Sequence, residues 1–394
     1  MNPFIILCIT GFLAIFSSTI SKSPVLPLFA QHLGAGPSGI GMVAAVSAFT
    51  GIIASIPAGM LSDRWGRRRM LIVSSLVFAT APLLYLFVSN VWQLALVRFY
   101  HGFATALFIP VSMAFISDLF HTKRGEQMGW FSTATLLGRF LAPVAGGAVL
   151  GALAASPTLS YRAVYVICGT AGAATLLLTL FMPHIAEGHD RSQKWGDMFR
   201  AFRSVVVNQV IMVTALVEAA VLFAYGTFET FLPIYAQEQG ISAYGIGACL
   251  SSQVIVLALT KPLMGRFSDR HGRKQQIIAG AVMGACCIAA LSRFSTFVPF
   301  LVISIFFGLS LSVVTSATAA YIADLSRKET YGSAMGLLGS VMDIGHTTGP
   351  LAAGFIASAS GLRMSFANAA GVLATAAVLF AVMTGMQRKT QPPA

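Results

Sequence analysis

A chain of 394 residues that is 56% hydrophobic and only 10% charged is not an ordinary soluble protein, which carries about a quarter charged residues. The net charge of +12 would suit a nucleic-acid partner, but the basic residues lie in short segments between apolar runs and no nucleic-acid-binding module appears. The apolar runs reach roughly 20 residues, enough to cross about 30 Å of hydrocarbon as helix. Open strands would leave backbone groups unpaired there, and weak alternation with frequent glycine argues against a barrel.

In chain order, the first apolar run begins at Phe4 without a basic leader or a small-residue cleavage site, and is read as a retained span. Twelve helices are predicted, at roughly 4–29, 39–61, 70–88, 92–117, 126–153, 161–183, 204–234, 244–267, 276–294, 297–323, 331–358 and 363–385. The expected fold is all-α: twelve transmembrane helices in two six-helix halves, 1–183 and 204–394, joined by a polar loop over 184–203. Trp195, Phe199 and Phe202 stand among charges in that loop. They fit either a helix lying on the membrane surface or a solvated tether.

Eighteen of the 25 Lys and Arg fall in segments on one predicted side, from Arg64 and Arg67 through Lys123, Arg200, Arg270 and Arg273 to Lys389. The opposite side has only Arg162, Arg293 and Arg363. That asymmetry makes the basic side cytoplasmic and places both termini there. The cysteines Cys8, Cys168, Cys249, Cys286 and Cys287 lie in apolar runs without metal-ligand spacing. No metal or cofactor is expected.

The halves repeat one another. Gly59-Met-Leu-Ser-Asp63-Arg64-Trp-Gly66-Arg67 returns as Gly265-Arg-Phe-Ser-Asp269-Arg270-His-Gly272-Arg273, identical at six of nine positions. Leu26-Pro27-Leu-Phe-Ala30-Gln31 returns as Leu232-Pro233-Ile-Tyr-Ala236-Gln237, and Asp118-Leu119 as Asp324-Leu325. After one inserted residue, Gly138, Pro143 and Gly147 match Gly345, Pro350 and Gly354. With an even number of spans per half, the copies share orientation and are related by an axis along the membrane normal.

These residues resemble the major facilitator superfamily of secondary transporters over essentially the whole chain. The loop at Gly59, Leu61, Asp63, Arg64, Gly66, Arg67 and Arg68 resembles that family's G-x-L-x-D-R-x-G-R-R/K signature. Arg98-Phe-Tyr-His101-Gly102 resembles a helix-4 signature, with His in place of Gln. Gly138, Pro143, Gly146 and Gly147 resemble a helix-5 signature found in proton-coupled exporters, with Ala142 where Gly is expected. The resemblance implies that helices 1, 4, 7 and 10 line a central cavity. It also implies that Arg67 and Asp118 belong to a charge cluster latching the cytoplasmic gate, the alternative being that these charges only set topology.

The signatures also have a physical sense. Gly66 and Gly272 permit a tight turn, and Asp63 and Asp269 suit a helix N-terminus as hydrogen-bond acceptors. Pro143 with Gly138, Gly146 and Gly147 permits a kinked helix with a small-residue face for close packing.

Away from the span ends, seven ionisable residues besides His fall inside predicted spans: Lys22, Arg98, Arg139, Glu218, Glu229, Lys261 and Asp343. Each costs about 2.5–3.5 kcal/mol at mid-membrane on insertion scales, so each needs a cavity or a partner. Glu218, Tyr225 and Glu229 share one helix face, as do Arg98 and His101. A carboxyl in a low-dielectric cavity can exchange a proton near neutral pH, which makes Glu218 the leading proton carrier. An ion pair with Arg98 or Lys22, or direct substrate contact, are its alternatives. Glu229, nearer the outer end, suits a gate salt bridge with Lys22. Asp343 and His346, one turn apart, are either a proton-carrying pair or a packed hydrogen bond. Arg139 is an ion-pair partner or an anion contact, and Lys261 is expected to snorkel to the cytoplasmic surface.

No enzymatic motif is present, and no Walker loop for ATP-driven transport. The expectation is a monomeric, alternating-access transporter in the cytoplasmic membrane. Its partners would be a small-molecule substrate, protons and the lipid bilayer. Proton-coupled efflux of a small amphipathic compound leads. Uptake or facilitated passage of a polar metabolite or organic anion, and a non-transporting receptor on the same scaffold, are the rivals.

Overall fold

The computed structural model describes residues 2–120, 123–183, 207–326 and 331–390, of which 55–60, 63, 64, 331–333 and 386–390 are described in backbone only. The polar loop over 184–203, with Trp195, Phe199 and Phe202, lies outside the described residues. All regular structure among the described residues is helical. In the first half the helices are α1 (Pro3–Ile20), α2 (Val25–His32), α3 (Pro37–Trp65), α4 (Arg67–Tyr85), α5 (Val91–Leu119), α6 (Arg124–Ala152) and α7 (Pro157–Leu180). The second half has α8 (Gln209–Glu238), α9 (Ala243–His271), α10 (Arg273–Leu291), α11 (Phe297–Leu325), α12 (Tyr331–Ser360) and α13 (Leu362–Thr390).

The starts of these helices follow local chemistry. Pro3, Pro37 and Pro157 open helices where their missing N–H is not needed. Asn2 and Asn90 accept from the amides of Phe4 and Gln93, each at 2.9 Å. Gly66 and Gly272 both take φ 95° between adjoining helices, a left-handed value that a side chain strains. Among the described residues, eleven helical stretches are long and apolar enough to cross a membrane, with α1 and α2 counting as one of 30 residues. α12 has similar length but carries Asp343, His346, Thr347 and Thr348 mid-helix.

The first span was expected as one helix over 4–29, but the chain leaves helical geometry between Ser21 and Pro24. Pro24 has no N–H, and its ring crowds the carbonyl one turn back. Ser21 closes the preceding turn by donating to Ser18 O at 2.7 Å. Proline alone does not decide the break, since Pro82, Pro110, Pro143, Pro233, Pro262 and Pro350 all sit inside helices.

The chain packs as two compact units, one of Met1–Asp190 with Glu229–Ser251, the other of Arg191–Phe228 with Ser252–Ala394. The division falls inside α8 and inside α9. In the first unit, α6 and α7 pack on α1, and α4 packs on α5 and α7, around fully buried Phe78, Phe108, Phe115 and Phe131. A Cβ on Gly138 would stand 2.5 Å from Phe12 O, so α6 meets α1 backbone to backbone. In the second unit, Cβ atoms on Gly345 and Gly349 would collide with the carbonyls of Ala219 and Phe223, so α12 meets α8 in the same way. In lipid, where apolar burial drives helix association weakly, such close small-residue contact supplies the attraction.

Candidate functional site

The doubled loop builds one geometry twice. Arg67 Nε donates to Asp118 Oδ2 at 3.1 Å and its NH1 to Ser62 Oγ at 2.5 Å. In the second unit, Arg273 donates to Asp324 and, at 2.7 Å, to Ser268 Oγ, and also pairs with Asp269 at 2.7 Å. Each Arg follows its glycine turn and ties the end of one helix pair to the end of a third helix (α5 or α11). The side chains of Gly59, Asp63 and Arg64 lie outside the description. Gly265 has open space around it, and Arg270 is exposed beside it.

The interior of the first unit is basic. Lys22, in the link after α1, bonds Glu229 Oε2 of α8 at 2.7 Å. Glu229 is 8% exposed and belongs to the segment of the second half that packs in this unit. Arg98 on α5 is 3% exposed. Its NH1 reaches Ser21 Oγ at 3.3 Å and Tyr85 Oη at 3.4 Å, while its Nε has no hydrogen-bond partner among the described residues. His101, one turn on, sets Nδ1 3.3 Å from the same Tyr85 hydroxyl and leaves Nε2 unpartnered. Tyr85 stacks on Tyr165 at 4.3 Å between ring centres. Arg139 on α6 is exposed, and Lys22 lies within electrostatic reach of both Arg98 and Arg139.

Around this cluster the two halves touch at small residues. A Cβ on Gly147 would stand 2.5 Å from Ala243 O, and one on Gly247 2.5 Å from Pro143 O. A Cβ on Gly146 would stand 3.3–3.4 Å from Pro24, Ile20 and Val25. Ser251 Oγ donates to Phe140 O at 2.8 Å. The helix-5 motif thus seats the start of α9 as well as the break in the first span. Farther along α2 and α8, a cavity of about 330 Å³ is lined by Gln31, His32, Tyr161, Gln237 and Glu238 among others.

The second unit carries the acidic candidates. Glu218 on α8 is 1% exposed. It accepts from Thr318 Oγ1 of α11 and lies within electrostatic reach of Lys261. Tyr225 stacks its ring on His346 of α12 at 5.4 Å and 18°. Asp343 is half-buried one turn before His346. Buried Gln253, Ser312 and Thr315 each keep a side-chain polar atom without a hydrogen-bond partner among the described residues. No group of three or more His, Cys, Asp or Glu able to hold a metal ion is gathered among the described residues.

Reading the sequence by helix face placed Glu218, Tyr225 and Glu229 together. In three dimensions they reach α11, α12 and the link after α1, respectively. The partners Thr318, Tyr85, Tyr165 and Ser21 were not foreseen. Hydroxyl residues are common in apolar helices, and nothing local marks those that meet a charge. Only the unusual polarity of α12 was a legible signal.

The family model of the Major Facilitator Superfamily matches residues 7–252 and 214–394. The chain belongs to that family: it is a multi-pass membrane transporter and not an enzyme. It is 25% identical over 350 residues to an uncharacterized MFS-type transporter of Methanocaldococcus jannaschii, covering 86% of this chain and 87% of that one. It is 27% identical over 361 residues to the multidrug resistance protein MdtG of Citrobacter koseri, covering 89% and 87%. Its fold is similar to that of a solved bacterial homolog of the human lysosomal transporter Spinster, in an inward-facing and occupied conformation. That match has a TM-score of 0.84 at 15% identity, covering 99% and 98% of the two chains.

Proposed function

We propose that this chain exports a small amphipathic compound by alternating access, driven by protons moving the other way. The observation that carries this reading is Glu218, a carboxyl 1% exposed that is hydrogen-bonded to a neutral hydroxyl, Thr318. A buried carboxyl of this kind can take up and give back a proton as its access to solvent changes. A change of access across the membrane then becomes a change of protonation. The similarity to multidrug resistance proteins supports the outward direction.

The remaining candidates take roles around that centre. Lys22 and Glu229 form the outer gate, whose opening separates a buried ion pair. Arg67 with Asp118, and Arg273 with Asp324, brace the inner ends of the helices that rock. Arg98, His101 and Arg139 in the first unit, and Tyr225, Asp343 and His346 in the second, supply the remaining polar side chains. In this reading the protein is a monomer of the cytoplasmic membrane, and the Lys and Arg asymmetry supports both termini inside.

The test is flux into everted vesicles under an imposed pH gradient, using a panel of amphipathic dyes of both charges. Wild type accumulates at least one dye and dissipates the gradient on its addition. Glu218→Gln should abolish gradient-driven accumulation while leaving downhill exchange. Retained accumulation in that variant would remove Glu218 from the coupling role.

A further inference from the structure

We infer that the transported compound bears an anionic group (carboxylate, sulfonate or phosphate) that docks at Arg98, beside the break between α1 and α2. This names the substrate class of the site described above and rests on that transport reading.

A guanidinium remains charged at any relevant pH, and a buried one ordinarily meets a carboxylate. Arg98 does not. Its hydrogen bonds among the described residues go to two neutral hydroxyls at 3.3 and 3.4 Å, and its Nε has no partner. Among the described residues, the other acids of its unit are engaged elsewhere or lie apart. Asp118 is bound by Arg67, Glu126 pairs with Lys123, and Glu238 lines the cavity at the far end of α8. Glu229 alone reaches the cluster, and it is held by Lys22 at 2.7 Å. Arg139 has no hydrogen-bond or ion-pair partner among the described residues and is exposed.

Lys22, held by Glu229, is therefore within electrostatic reach of two further cations, Arg98 and Arg139. The C-terminal end of α1 contributes about half a negative charge, which does not offset the remaining two. The planar fork of Arg98 matches a two-oxygen anion. Phe12 and Phe16, stacked at 6.1 Å on the helix that ends at the break, offer an apolar wall for the body of the compound. Glu229 stands in for the substrate anion. It occupies the cation cluster when the gate is shut and yields Lys22 to the arriving compound. Its repeat counterpart is Ser23, so only one half supplies this surrogate.

The experiment uses the full chain in phosphatidylcholine nanodiscs, with naphthalene-2-sulfonate, its neutral sulfonamide and naphthyl-trimethylammonium as matched probes. Thermal stabilisation and direct titration are the readouts. The sulfonate alone should stabilise the protein. Its affinity should fall at least tenfold in Arg98→Gln and at least threefold in Arg139→Gln, and should rise in Glu229→Gln, which lacks the competing carboxylate. Should Arg98→Gln not fold, the other two variants decide. Replacing the lipid by phosphatidylglycerol separates the sources of the anion: a lipid headgroup would stabilise wild type without probe and compete with the sulfonate, a soluble anion would do neither, and both support the site. The inference is overturned if the ammonium binds in preference, if the three probes bind alike or not at all, or if sulfonate affinity stays within twofold in both Arg139→Gln and Glu229→Gln. Those results leave gradient-driven dye flux standing, whereas loss of flux for every dye would overturn the transport reading itself.

Discussion

The turn between α3 and α4 and the turn between α9 and α10 are one device present twice, with Ser62, Arg67 and Asp118 superseded by Ser268, Arg273 and Asp324 in the same bonding pattern. A few turns away along the helices, the copies have parted. Glu218, whose side chain bonds Thr318, has the apolar Phe12 as its counterpart, and Ser23 stands where the other half has Glu229. Parts that do the same mechanical work in both halves stayed alike. The divergence falls on the charged residues that the proposed function assigns to the proton and the gate.

The helix-packing glycines should give the largest effects, and they test whether the shared frame is mechanical. Gly349→Val and Gly138→Val place Cβ where a facing carbonyl already stands, and overpacking of this kind is not relieved by side-chain motion. Loss of monodisperse protein on size-exclusion chromatography is expected for both. Gly339→Ala, with open space around it, should behave as wild type. A tolerated Gly349→Val would mean that α8 and α12 do not depend on this contact.

Next comes the diverged interior. Lys22→Glu alone sets two carboxylates against each other in a part-buried setting, where an unpaired charge is costly. Transport should fall by more than tenfold. The double exchange of Lys22→Glu with Glu229→Lys should recover part of it, measured as dye flux and as cysteine accessibility at the α2 end. Failure of the double variant to exceed the singles would show that the pair is not a gate.

The smallest effect is expected from the duplicated turns. Arg67→Ala and Arg273→Ala each remove a partly exposed ion pair, with Asp118 at 31% and Asp324 at 54% side-chain exposure. Such pairs are worth about 0–1 kcal/mol. The two variants should lower unfolding midpoints in mixed micelles by similar small amounts. A large loss in one copy alone would show that the halves are not mechanically equivalent.

Much of this molecule was legible in advance because lipid imposes simple rules. Apolar length implied the spans, and the doubled phrase at Gly59 and Gly265 implied the family. The break at Ser21–Pro24 was not legible, since six other prolines lie inside continuous helices. Whether a proline breaks a helix depends on what receives the freed backbone groups, and that is a tertiary matter. The Lys22–Glu229 pair was legible because both charges cost too much to bury alone.

The amino-acid sequence by itself determined the helical class, the spans, the duplication and the short list of charges that require an explanation, because each follows from local chemistry or from the price of a charge in hydrocarbon. Only the tertiary structure decided which charges are compensated. Glu218 rests on Thr318, His346 on Tyr225, and Arg98 on two hydroxyls with an Nε left over. The physical reason is that a counter-charge acts through a few ångströms of space, and residues 77 or 207 positions apart in the chain become neighbours only when helices pack.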